Sequence, residues 1–177
     1  MEKKTVAVLF GGVSSEHAVS CMSATSVLNN LDRTRYEVLP VGIKRDGTWH
    51  LYAGPVEGLV SGAWESRPDN VPVGFWPGSG IRGLAALENG RVREIPVDVV
   101  FPVLHGKNGE DGTIQGLLET AGIPYVGCGV LGSAVCMDKV IANCVMEACG
   151  IARCQWDYVE AWQMGQWDAI AARLEQK

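Results

Sequence analysis

The sequence predicts an α/β fold built on a parallel sheet, and three observations predict it. The runs "TVAVLFGG" (5–12) and "VDVVFPVLHG" (97–106) are rich in apolar, β-branched residues and end in glycine, as strands covered on both faces do. Each is followed by a segment with apolar residues at helical spacing. Strand, helix and strand in that order across 5–43 then imply a right-handed crossover.

The elements follow in chain order. "VSSEHAVSCMSATSVLNNLD" (13–32) repeats Val19, Met22, Val27, Leu28 and Leu31 near the helical period. "EVLPVGI" (37–43) is a second strand. Asp46-Gly47 is a turn, and Trp49 and Leu51 lie on a short strand after it. Residues 54–96 are rich in Gly, Pro and Trp and read as connecting structure, with one hairpin at Asn89-Gly90. "TIQGLLETAGIP" (113–124) is a helix closed by Gly122 with Pro124 beyond it. "YVGCG" (125–129) is a short strand and turn. One long helix is expected from about Ser133 to Cys149, ended by Gly150. Beyond it, a strand-like piece from Cys154 leads to an amphipathic helix reaching Lys177, with Trp167, Ile170, Ala171 and Leu174 on one face. The chain reads as stopping just inside a second domain.

Composition narrows the function. A 177-residue chain that is 47% hydrophobic can bury a real core. A net charge of −5 without a dense Lys/Arg run argues against nucleic acid. No segment is long and apolar enough to span a bilayer, and the start lacks the pattern of a secretory leader. The expected setting is the cytoplasm, with no membrane partner. The six cysteines form no CxxC pair and stand away from histidine at ligand spacing. They read as free, buried thiols, and no metal ligands are assigned.

Chemistry concentrates in three places. In "FGGVSSEHAVS" (10–20), Ser14 or Ser15 suits a helix N-cap and Glu16 its first turn. The glycines match neither GxGxxG nor a P-loop. An acid there would repel a pyrophosphate and suit an ammonium group. In "HGKNGEDG" (105–112), His105 follows a buried strand, at the edge where open α/β sheets place ligands. Adjacent strands would bring Glu16 and His105 to one crevice. Asp111 suits an N-cap, whereas Glu110 has no evident structural task. A site with both signs of charge suits a zwitterion such as an amino acid; a polar turn that only caps its helix is the competing reading. In "CMDKVIANC" (136–144), Met137 is expected in the core, and Asp138 and Lys139 sit side by side in the long helix, where a solvated face is the simpler reading.

Taken together, "AVLFGGVSSEHAVS" (7–20), "VFPVLHGKNGEDGTIQGLLETAGIPYVG" (100–127) and "VLGSAVCMDK" (130–139) resemble the D-alanine–D-alanine ligases of the ATP-grasp superfamily. The 40–100 connection looks closest to the branch holding the D-alanine–D-serine ligases of vancomycin resistance. The resemblance implies a Rossmann-like amino-terminal domain at 1–139, with helices on both faces of its sheet. Residues 140–177 would be a linking helix and the beginning of a truncated central ATP-grasp domain. It implies an enzyme of peptidoglycan precursor synthesis that uses ATP and magnesium or manganese and joins D-alanine to a second D-amino acid through D-alanyl phosphate. A homodimer is expected.

Three roles carry over by resemblance. Glu16 matches the catalytic acid that holds and orients the first D-alanine through its ammonium. His105 matches the histidine lining the first substrate site. Lys139 matches the lysine that reaches the nucleotide. Gly12, Ser15 and Glu110 are implied to shape the same pocket. Asn143 departs from the pattern, since many relatives carry a second basic residue there. The family's nucleotide-holding strand lysine, phosphate loop, arginine and metal ligands would lie beyond Lys177, so this chain alone is expected to be inactive. Two other readings stand beside this one. A dinucleotide-dependent oxidoreductase lacks its fingerprint and has Lys44 and Arg45 where an acid is needed. A non-catalytic interaction or dimerisation module would be what truncation leaves.

Overall fold

The computed structural model describes residues 3–175. The chain divides into two compact units, residues 1–134 and 135–177. Among the described residues, no helix is long and apolar enough to cross a membrane.

The first unit is a seven-stranded sheet in the order β6-β5-β4-β3-β2-β1-β7. Its strands are β1 (Lys4–Gly11), β2 (Tyr36–Ile43), β3 (Trp49–Leu51), β4 (Val71–Phe75), β5 (Gly83–Glu88), β6 (Arg91–Pro96) and β7 (Val99–Pro102). β1 pairs in parallel with β2 and with β7, so the expected parallel α/β core is present. Every pairing from β2 outward to β6 is antiparallel.

β1 is buried from both sides. Val6, Val8 and Phe10 meet Cys21, Ala24 and Leu28 of α1 (His17–Asn30) and Leu59 of α2 (Glu57–Val60). Ala7 and Leu9 belong to the opposite cluster, with Ile114 and Leu118 of α3 (Thr113–Thr120). Each large aliphatic or aromatic side chain buried this way contributes up to about 1.5–3 kcal/mol. That two-sided burial is why the strand reads as an unbroken apolar run.

Residues 54–96 are more ordered than their composition suggests. They hold α2, a 3-10 turn at Ala63–Ser66 and three strands, not a connection with a single hairpin. The hairpin at Asn89-Gly90 is there, joining β5 to β6 with positive φ at both residues (51° and 73°). β6 forms the sheet edge and exposes Arg91, Arg93 and Glu94. The short strand expected at Tyr125 reduces to one parallel bridge with Val100.

The long helix expected over 133–149 is two helices, α4 (Val130–Met137) and α5 (Lys139–Ala148). Asp138 breaks it. Its backbone is extended (ψ 111°), and its carboxylate accepts the amides of Val140 and Ile141 at 2.9 and 3.0 Å, so it caps α5. Met137 is 39% exposed and is not core. α5 buries none of its residues, so Cys144 lies exposed on it. Of the six thiols only Cys21 is buried; the expectation of buried cysteines fails for the rest. No strand forms over 152–160. A 3-10 turn at Ala161–Gln163 precedes α6 (Trp167–Glu175), where Ile170 is buried but Trp167 and Leu174 are exposed. The expected end of that helix at Lys177 lies outside the described residues.

Candidate functional site

Two loops meet at the carboxyl ends of β1 and β7, which are neighbours in the sheet. The first is the glycine loop after β1. Gly11 and Gly12 have φ of 86° and 99°, a backbone that a side chain would strain. Gly12 donates its amide to the Ile43 carbonyl at 2.8 Å. The second loop is 103–112, whose Gly106 also has a positive φ, 69°.

Glu16 and the histidine loop are brought together at Gly106. A Cβ added there would overlap Glu16 Oε2 and stand 2.8 Å from Ser14 Oγ. Glu16 is exposed and occupies the position just before α1, while Ser14 Oγ accepts its amide at 3.1 Å. Neither serine caps the helix, contrary to expectation, because α1 begins later, at His17, and Glu16 takes the cap position without a side-chain cap bond. Ser15 is exposed in that turn.

Glu110 does have a structural task. Its Oε2 accepts the Gly106 amide at 2.7 Å, and its Oε1 lies 3.8 Å from His105 Nδ1. The carboxylate thus closes the loop on itself and faces the imidazole. Asp111 sits one place before the true cap position, Gly112. It still accepts the Thr113 amide at 3.0 Å and the Asn108 amide at 2.8 Å. Burial pushes its carboxyl pKa up, but these hydrogen bonds outweigh it and hold the group below the usual carboxylate range.

A cavity of about 340 Å³ opens beside these loops. Gly12, His105, Lys107, Trp49, Leu104 and Ile114 are among its lining residues. Glu16, Ser15 and Glu110 are not. The acid therefore stands at the Gly106 side of the crevice, and the lysine and histidine border the cavity.

Three residues that the apolar spacing overlooks tie this site to α1. His17, Ser20 and Ser23 recur every three positions, so they share one helix face. His17 Nδ1 donates to the Gly12 carbonyl at 2.8 Å, and its Nε2 lies 3.5 Å from Glu65 Oε1. Ser20 Oγ accepts the Gly11 amide at 2.9 Å and donates to the Val103 carbonyl. Ser23 Oγ lies 3.0 Å from His105 Nε2. The signal that could have found them is a polar residue at every third position among the apolar ones.

Lys139 belongs to the second unit. It is exposed at the start of α5, and its Nζ donates to the Cys136 carbonyl at 3.1 Å. Asn143 Nδ2 donates to the Lys139 carbonyl at 2.7 Å. Among the described residues, no group of three or more His, Cys, Asp or Glu side chains is placed to hold a metal ion.

A family model described as "D-ala D-ala ligase N-terminus" matches residues 5–128. A D-alanine–D-alanine ligase of Thermoanaerobacter sp. (strain X514) is 47% identical over 175 residues, covering 99% of this chain and 48% of that protein. A putative D-alanine–D-lactate ligase of Streptomyces coelicolor is 49% identical over 152 residues, covering 86% of this chain and 42% of that protein. The solved structure of the VanG D-Ala:D-Ser ligase from Enterococcus faecalis aligns with a TM-score of 0.83 at 38% identity, covering 99% of this chain and 50% of that one. The chain spans about half the length of the curated relatives it matches. It belongs to the D-alanine–D-alanine ligase family, and residues 5–128 are that family's amino-terminal domain.

Proposed function

We propose that this chain is the amino-terminal, substrate-binding part of an ATP-dependent D-alanine–D-alanine or D-alanine–D-serine ligase of peptidoglycan precursor synthesis. The observation that carries the reading is the meeting of the Glu16 carboxylate with the His105–Glu110 loop at Gly106. Glu16 would hold the ammonium of the first D-alanine. His105, Gly12, Ser15 and Glu110 would shape the pocket around it. Fixing a small zwitterion in one pose before its carboxylate reacts removes much of the entropic cost of the step.

ATP supplies the phosphoryl group that turns the D-alanine carboxylate into an acyl phosphate. The amine of the second substrate then attacks that carbonyl, phosphate leaves, and the amine gives up a proton. Of the residues present, Lys139 fits a nucleotide: its ammonium is exposed and bonds a helix carbonyl, leaving donor capacity for an anion. Among the described residues, no group of three or more His, Cys, Asp or Glu side chains is placed to hold magnesium or manganese, so their ligands are assigned to the rest of the complete enzyme.

In the same reading, residues 1–139 are the amino-terminal domain and 140–177 begin the central ATP-grasp domain. The extended backbone at Asp138 and the compact division near residue 134 support a boundary there. Free D-amino acids and ATP place the work in the cytoplasm. A homodimer completes the reading, supported by the exposed Val19 and Met22 on α1.

The test is D-alanine-dependent ADP release by the complete gene product. Turnover that falls at least tenfold in Glu16→Gln supports the assignment; this is about 1.4 kcal/mol of lost transition-state stabilisation. Absence of any D-alanine-dependent release from the complete product would leave an interaction module as the better account.

A further inference from the structure

We propose that Ser23 is a positioning residue for His105, locking its imidazole in the tautomer that carries hydrogen on Nδ1. The inference rests on the reading of His105 as part of the first substrate site, and it deepens that reading. Ser23 and His105 are 82 residues apart in sequence, yet Ser23 Oγ lies 3.0 Å from Nε2. The other ring nitrogen, Nδ1, faces Glu110 Oε1 at 3.8 Å. A carboxylate has no proton to give, and although 3.8 Å is beyond hydrogen-bond reach, its negative charge favours the neutral tautomer that carries hydrogen on Nδ1. Nε2 is then the acceptor, and the Ser23 hydroxyl is the group that donates to it. The hydrogen on one ring nitrogen is set by the partner of the other.

The geometry also explains why serine can do this from a helix. Ser20, one turn earlier on the same face, is completely buried and bridges Gly11 to Val103. That bridge fixes α1 against the residue two places before His105. Ser23 is therefore presented from a clamped element and not from a mobile loop. It is half-buried and is not among the residues lining the cavity, so its influence on a ligand passes through the ring it holds.

The test uses the complete gene product labelled with ¹⁵N-histidine, with His105→Gln to assign the signal. At a pH where the ring is neutral, wild-type His105 should show the Nδ1–H pattern, the less common one for free imidazole. Ser23→Ala should move the ring toward the Nε2–H pattern and raise the KM for the first D-alanine about fivefold with kcat little changed, as loss of one hydrogen bond predicts. Ser23→Thr, which keeps the hydroxyl, should restore both. An Nε2–H ring in the wild type overturns the proposal, and that measurement does not depend on Ser23→Ala folding. An unchanged tautomer and KM in Ser23→Ala overturn it equally. If the complete product turns over no D-alanine, the ligase reading fails on its own, while the ¹⁵N pattern still decides what Ser23 does to His105.

Discussion

The hydroxyl of Ser20 joins two strand ends: it takes the Gly11 amide at 2.9 Å and gives its own proton to the Val103 carbonyl. No exposed surface remains on the residue. Ser20→Ala would leave a buried amide and a buried carbonyl without that partner. The expected loss is about 1–3 kcal/mol of stability. Urea unfolding followed by tryptophan fluorescence measures it, and a change below about 0.5 kcal/mol would contradict the bridge.

Gly42 should resist even a methyl group. A Cβ there would stand 2.7 Å from Trp64 Cη2 and 2.8 Å from Cε3, inside contact distance of a ring that is fully buried. Trp64 cannot retreat freely, because Phe10 meets it edge-on at 4.8 Å between centroids. Gly42→Ala should cost about 1–3 kcal/mol by overpacking. Thermal unfolding of the pair of proteins shows it as a lowered Tm.

Gly106→Ala combines two penalties. Its φ of 69° disfavours a side chain, and the new methyl would push against Glu16 Oε2 and Ser14 Oγ. The variant should lose about 1 kcal/mol or more of stability. It should also lose affinity for D-alanine in calorimetric titration of the complete gene product. Affinity that survives unchanged would separate Glu16 from the ligand.

Asp111 gives the 103–112 loop an acid-labile component. Its folded pKa lies below the ordinary value of about 3.9 for a free side chain. The ionised form is thus favoured by folding, so the stabilisation is present above the unfolded pKa and is lost as pH falls through the folded one. Asp111→Asn should flatten the acid limb of the stability profile below about pH 4 and lower stability at neutral pH. Denaturant midpoints across that range, with wild type beside the variant, test the sign.

The thiols should divide five to one. Cys128, Cys136, Cys144, Cys149 and Cys154 are exposed, and Cys21 is buried with its thiol pKa pushed up chiefly by that burial. A thiol reagent such as dithionitrobenzoate should label five groups in the native chain and the sixth only on unfolding.

These particulars show what a linear reading can reach. β1 was legible because burial on both faces leaves no polar alternation to confuse it. The convergence of Glu16 and His105 was legible too, since both follow parallel strands that lie side by side. β4 was not, because Pro72 and Gly74 resemble loop punctuation while pairing sets the strand. Asp138 was hidden because only its backbone conformation tells a helix cap from a helical surface residue. Cys144 misled because apolar spacing on α5 predicts a buried face, and α5 buries nothing. Glu110 could not be read at all from spacing, since its partner is fixed by how the loop folds back on itself.

The position of β1 also sets an order of assembly during synthesis. Val6 pairs with Val38 on one side and with Val99 on the other. As the chain leaves the ribosome, the first partner arrives early and the second only after the whole β3–β6 extension has emerged. Closing the β1–β7 ladder is therefore the late, high-contact-order event, and loop-closure entropy makes such events slow. Until then one edge of β1, with its apolar run Val6–Phe10, stands open. A nascent chain stalled between residues 60 and 95 should consequently bind chaperones, and release should follow once β7 is available.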